Sequence, residues 1–168
     1  MSAPPPPPHD ITIRALREAD LDAAAHLAAQ LVRLHHALDA RRFLYAEPLE
    51  PGYARFLRSE LADPKAALLV AEAEGGAVVG YVYGRLEPRD WMALREACGE
   101  LHDVYVDDAE RGRGIGAALV MALVAALEAL GAPRVILSTA WQNGPAQEMF
   151  AKLGFRPTMI EMTRERGG

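Results

Sequence analysis

The chain has 168 residues, 51% hydrophobic and 24% charged, with a formal net charge of −5 at pH 7, which suits one domain with its own core. The acidic balance argues against a nucleic-acid binder, which needs a basic stripe, and favours a cationic ligand. No run of about 18 uninterrupted apolar residues implies a membrane span, and the single cysteine, Cys98, excludes an internal disulfide and fits a reducing cytoplasm.

Met1 to His9 contains five successive prolines and reads as a disordered, polyproline-like tail ahead of one domain over residues 10–168. Ile11 to Leu16 is a short strand, and Glu18-Ala19-Asp20 opens a long helix whose core stripe is Leu27, Leu31, Leu34 and Leu38. His35 and His36 close that helix. Adjacent helical positions diverge by about 100 degrees and no third ligand lies at useful spacing, so no metal is expected. Glu50-Pro51-Gly52 breaks the chain before a helix over Tyr53 to Leu61, and strands over Ala67 to Ala73 and Val78 to Leu86 flank a Glu74-Gly75-Gly76 hairpin turn. Tyr81 and Tyr83 share a face and read as core aromatics. Glu87 to Gly99 is longer than a hairpin needs, and Trp91, Leu94 and Arg95 recur at helical spacing. A substrate lid, a dimer contact and a cover helix all account for them, with substrate lining favoured.

Glu100 to Ala117 concentrates the chemistry. LHDVYV is rich in β-branched and aromatic residues, as a strand requires, and Asp107 to Glu110 is a polar connection. Then Gly112, Gly114 and Gly116 alternate with Arg111, Arg113 and Ile115 before a helix over Ala117 to Leu130, whose apolar face is Leu119, Val120, Leu123, Val124, Leu127 and Leu130. Outward backbone amides at a helix start suit a pyrophosphate. Spacing alone fits a plain turn equally well, and both the GxxxxGK[ST] loop and the dinucleotide fingerprint are absent. Further on, Arg134 to Trp141 reads as a strand, Asn143-Gly144-Pro145 as a capped helix start with Met149, Phe150 and Leu153 as its apolar face, and Thr158 to Arg164 as a last strand.

Val106 to Gly116, VDDAERGRGIG, resembles motif A of the GNAT superfamily of N-acetyltransferases, [QR]xxGx[GA], with Arg111, Gly114 and Gly116 at the three signature positions. Asn143, Ala146 and Phe150 followed by KLGF resemble motif B, NxxAxxxYxKxGF. The resemblance covers Ile11 to Arg164. It implies an α/β (α+β) single domain with a mixed, mostly antiparallel sheet of about six to seven strands, flanked by about four helices. In that fold the strands containing Val106 and Leu137 splay apart to admit acyl-CoA.

The activity implied is acetyl transfer from acetyl-CoA to a primary amine of a small molecule, amino acid or peptide. Val104, Tyr105, Val106, the run Arg111, Gly112, Arg113, Gly114, Ile115, Gly116 and Ala117, and Asn143, Ala146 and Phe150 would bind the donor, and the Val106 N–H would polarise the thioester. His35, His36 and Phe43 would border the acceptor.

An alkylamine with pKa near 10.4 costs about 4 kcal/mol to deprotonate at neutrality, so a base is expected. By strict alternation Glu100, His102, Val104 and Val106 share one strand face and Asp103 and Tyr105 the other, unless a β-bulge reverses them. Glu100 and His102 are therefore the candidate bases, the carboxylate also attracting a cation and an imidazole suiting neutral pH. Phe150 stands where many relatives have the tyrosine that protonates the leaving thiolate. Tyr83 or Tyr105 are its candidate substitutes. That departure keeps open a non-catalytic acyl-CoA-binding regulatory module, and O-acetyl transfer also fits. A homodimer through the open edge of the terminal strand is a further expectation.

Overall fold

In the computed structural model, which describes residues 6–166, β1 (Ile11–Ala15) leads through a 3-10 turn at Glu18–Asp20 into α1 (Leu21–Leu38), and α2 (Glu50–Leu61) follows. The hairpin of β2 (Ala66–Ala73) and β3 (Val78–Glu87) precedes β4 (Cys98–Val106), α3 (Ile115–Ala129), β5 (Val135–Leu137) and α4 (Gly144–Lys152). Residues 1–5 of the expected tail lie outside the described residues.

The sheet runs β1-β2-β3-β4-β5, antiparallel throughout except for the parallel β4–β5 pair. Each face carries its own core. Ile115, Leu119, Leu123 and Leu127 of α3 pack on Val82, Leu101 and Val106. On the other face Leu21, Leu27 and Leu31 of α1 and Leu57 of α2 cover Val70, Tyr81, Tyr83 and Tyr105. Each such side chain contributes about 1.5–3 kcal/mol on burial, so the helical stripes predicted from spacing act as clamps on opposite sides of one sheet, except that Leu130, expected on the α3 stripe, caps the end of that helix and is exposed. Gly84 lets α3 approach: a Cβ there would lie 2.6 Å from the Glu100 carbonyl oxygen and 2.9 Å from Leu123 Cδ2.

Several boundaries differ from expectation. Glu50 to Gly52 begins α2 instead of breaking the chain, because Pro51 lies in the first turn, where no intrahelical N–H is needed. No helix forms between β3 and β4. Asp90 and Arg95 exchange two backbone hydrogen bonds of 2.8 Å, and the Asp90 carboxylate accepts the Met92 and Ala93 amides, so a tight turn wins. Its apolar residues Trp91, Met92 and Leu94 are exposed.

Cys98 and Gly99 join β4, and β5 shrinks to three residues. Among the described residues the predicted strand over Thr158 to Arg164 is absent and the sheet has five strands, not six or seven. A three-residue β5 offers too few edge N–H and C=O groups to hold a seven-residue neighbour, and Met159, Ile160 and Met162 remain exposed. No helix among the described residues is long and apolar enough to cross a membrane.

Candidate active site

The β3–β4 register pairs Tyr83 with Asp103 and then Gly84 with Leu101, so His102 is an extra residue, a β-bulge. It reverses the expected facing. Leu101, Val104 and Val106 pack toward α3, whereas Tyr105 packs toward α1 and α2, and the His102 ring stacks on Tyr83 of that same side at 5.3 Å and 22°. Glu100 and His102 therefore do not share a face with Val104 and Val106. They share it with Asp103, which strict alternation had set apart, and which sequence reasoning misses as a site residue. The available signal is Gly84, a strand glycine opposite the bulge.

The bulge falls where the sheet divides. Parallel pairing of β4 with β5 ends at Leu101 and Leu137, leaving the rest of β4 without a neighbour on that side. The Asp107 N–H donates to the Val79 carbonyl at 2.8 Å, so by alternation the Val104 and Val106 amides point away from β3, toward the opening. Next along the chain, Gly112 and Gly114 take φ of 77° and 82°, the left-handed region that favours glycine. A Cβ on Gly116 would lie 3.3 Å from Met149 Sδ, so a small residue lets α4 sit against the start of α3.

The amides of Gly114, Ile115, Gly116 and Ala117 have no acceptor among the described residues, and no side chain caps α3. Four donors at a helix N-terminus form an anion cradle. Arg111 and Arg113 brace it. Arg111 lies over the Tyr105 ring at 4.8 Å, donates to the Val106 carbonyl at 3.2 Å and pairs with Asp108 at 2.8 Å, and Arg113 pairs with Asp10 at 2.7 Å and with Glu110.

The Val104 and Val106 amides thus lead toward those of Gly114 to Ala117, with the Ile115 side chain buried in the core and only its amide presented, whereas Tyr105, expected to bind the donor, is turned by strand alternation toward α1 and α2. Asn143 caps α4 by accepting the Ala146 N–H at 3.3 Å. Ala146 packs against the α3-side core, and Phe150 is buried edge-on to Phe155 at 5.9 Å.

On the α1–α2 side, His102 Nε2 lies 3.2 Å from Glu87 Oε1. The Tyr83 hydroxyl donates to the buried Glu60 at 2.6 Å, and Glu60 also binds Arg85 at 3.0 Å. Burial first, then Glu60, pushes the Tyr83 hydroxyl well above its usual pKa. Tyr105 donates to Asp108 at 2.8 Å and is pushed up to about 12, chiefly by burial. Neither tyrosine holds a free acidic proton. The Tyr81 hydroxyl donates to Asp103 at 3.0 Å; burial raises the Asp103 carboxyl above the ordinary aspartate value, with that hydrogen bond and the nearby His102 and His35 opposing.

Burial likewise lowers His35, which stacks on Phe43 at 4.8 Å, while His36 Nδ1 lies 3.0 Å from the Phe43 carbonyl. Ligand atoms of Glu87, Glu100 and His102 lie within 4.8 Å of one another. Arg85 lies 3.6 Å from Glu87 and Arg95 3.8 Å from Glu100, so guanidinium charge already meets both carboxylates.

A family model described as the acetyltransferase (GNAT) family matches residues 28–155. Relatives include a mycothiol acetyltransferase of Nocardioides, 32% identical over 159 residues, covering 88% of this chain and 50% of the relative. The N-alpha-acetyltransferase RimI of Mycobacterium tuberculosis is 33% identical over 150 residues, covering 87% of this chain and 78% of the relative. The chain thus spans half the length of the mycothiol relative. Among solved structures, a Bacillus halodurans protein shares the fold with a TM-score of 0.79 at 22% identity, covering 92% of this chain and 99% of that one.

Proposed function

The chain belongs to the acetyltransferase (GNAT) family, and from that premise we propose that it transfers an acetyl group from acetyl-CoA to a primary amine by direct attack on the thioester. The observation that carries this reading is the bulge at His102, which coincides with the end of β4–β5 pairing. It aims amides into the opening and titratable side chains at the opposite face. The pyrophosphate would rest on the amides of Gly114 to Ala117, and pantetheine along the unpaired edge of β4, near Asn143, Ala146 and Phe150. The thioester oxygen accepts from the Val104 or Val106 N–H, which is stronger once charge develops on it.

Asp103 and Glu100 attract the ammonium, and His102, steadied by Glu87 and by the Tyr83 ring, takes its proton. A C–N bond forms to the acetyl carbon, the C–S bond breaks, CoA departs as the thiolate, and the attacking nitrogen releases its second proton to solvent. Phe150 carries no hydroxyl and both nearby tyrosines are committed, so the thiolate leaves without an assigned acid. Near neutrality that costs only about 2 kcal/mol for a thiol of pKa about 8.5.

Titration of acetyl-CoA into the wild type and Gly114→Trp, with CoA release over an amine panel, tests this. Binding lost in the variant and turnover in the wild type are expected; absence of wild-type binding overturns the reading. Binding without turnover would establish the second reading, a non-catalytic acyl-CoA module, which Phe150 and the committed tyrosines favour. Association of two copies through the open β5 edge is part of the proposal, supported by the exposed Met159, Ile160 and Met162. So is a cytoplasmic setting, supported by the free thiol of Cys98.

A further inference from the structure

A closed ring of contacts begins and ends at His102. Its Nε2 lies 3.2 Å from Glu87 Oε1, and its imidazole stacks on Tyr83 at 5.3 Å. The Tyr83 hydroxyl donates to Glu60 at 2.6 Å, and Arg85 Nη1 donates to the same Glu60 oxygen at 3.0 Å. Arg85 Nη2 donates to Asp63 at 3.0 Å, so a carboxylate of α2 and one just past its end hold both arms of the guanidinium. What is left over is Nε, a buried nitrogen without a hydrogen-bond partner among the described residues. It lies 3.6 Å from Glu87 Oε1, the same oxygen that meets His102.

A buried N–H without a partner is costly, and a side chain anchored at both Nη atoms cannot turn this one elsewhere. Its charge is therefore aimed at Glu87. An ionised carboxylate can only accept, so His102 donates the Nε2 hydrogen to it and the lone pair of the neutral ring is left at Nδ1. Glu87 thus stands between a guanidinium and an imidazole.

We propose that Arg85 is a positioning residue for the transfer: anchored by Glu60 and Asp63, it shares the Glu87 carboxylate with His102, so that Glu87 orients the ring through Nε2 without locking the amine's proton onto it. This rests on the acetyltransferase reading with His102 as the base and extends it to residues that touch no substrate. The Nδ1 lone pair takes one proton from the ammonium, the N–H electron pair stays on the amine nitrogen, and the imidazolium keeps its Nε2–H on Glu87. Arg85 offsets the charge of Glu87, Glu60 and Asp63, which on their own favour the imidazolium. The other charged groups around the ring have separate partners. Glu100 meets Arg95 at 3.8 Å, and Asp103 accepts from Tyr81 and has His35 of α1 nearby.

The test is imidazole nitrogen NMR across neutral pH, read beside the pH dependence of kcat/KM, with His102 assigned by the signals lost in His102→Ala. The neutral wild-type ring is expected to carry its hydrogen on Nε2. Arg85→Gln removes the opposing charge, so the His102 midpoint and the acid limb of kcat/KM should both move up by about half a pH unit or more. Arg85→Lys restores the charge and should return both toward the wild type. A role confined to stability would lower Tm in both variants and move neither midpoint. If Arg85→Gln fails to fold by circular dichroism, the double variant Glu60→Gln, Arg85→Gln removes the buried pair together, which costs less than stranding one partner. Its midpoint should move in the same direction.

A wild-type ring with its hydrogen on Nδ1, or an unmoved midpoint in the folded variant, overturns this inference while leaving acetyl transfer intact. If no amine is acetylated, acetyl transfer fails instead. The NMR then decides alone whether Arg85 shares Glu87 with His102: an upward shift supports it and no shift overturns it.

Discussion

His102 and Asp103 are neighbours in a strand, yet the bulge turns both toward α1 and α2, where alternation allows only one. Their roles are separable. His102→Ala should lower kcat by about 100-fold, the usual contribution of a positioned base, with the acetyl-CoA Kd unchanged. Glu87→Gln should act in the same direction and less, since it only orients the ring.

Asp103 carries a signature in stability as well. Its folded pKa is raised by burial above an ordinary value of 3.8, so the folded state holds its proton longer than the unfolded one. Its contribution to stability is fully present below about pH 3.8 and is lost as pH rises through the folded pKa. Asp103→Asn should therefore raise Tm relative to wild type at neutral pH, with the gain vanishing as pH falls to the ordinary aspartate range. A gain that does not depend on pH would show that the carboxylate is not the cause.

At the scale of elements, the entry to α1 is held by charge. Arg14 of β1 donates to both oxygens of the buried Asp20, at 2.7 and 3.0 Å, and also binds Glu72 of β2, while Asp20 accepts the Arg17 amide at 2.8 Å. Asp20→Ala leaves the Arg14 guanidinium to Glu72 alone and the Arg17 amide without its acceptor, and urea denaturation should read a loss of about 1–3 kcal/mol.

The tail beyond α4 behaves oppositely. Thr158 to Arg164 pairs with no strand, and Arg42 meets Glu161 across exposed surface, so truncation after Pro157 should leave the Tm of the monomer nearly unchanged. If the segment seats on the β5 edge of a second copy, light scattering will give a dimer for the wild type and a monomer for the double variant Ile160→Glu, Met162→Glu. A monomeric wild type would remove the homodimer from the proposal.

At the scale of the whole molecule, the charge of −5 and the carboxylates around His102 draw a cationic amine from solution. Screening with a Debye length of about 8 Å at physiological ionic strength weakens that draw. kcat/KM for a cationic amine should thus fall as salt rises, in KM more than in kcat, and salt-independence would show that this attraction plays no part in recognition.

Local patterns determined much of this protein on their own. The stripes of α1 and α3 were legible because burial selects apolar residues at helical period, and RGRGIG because a close backbone turn before a helix admits few residues other than glycine. The order of elements through α4 followed from the same signals. Tertiary structure alone decided which side of β4 its functional groups take, because a single inserted residue inverts a period of two and its position depends on the register with β3. It decided that Arg111 and Arg113 brace the cradle, since Asp108, Glu110 and Asp10 claim them first. It also decided that Thr158 to Arg164 stays out of the sheet, because a strand needs an edge to pair with, and the length of β5 is set by where it parts from β4.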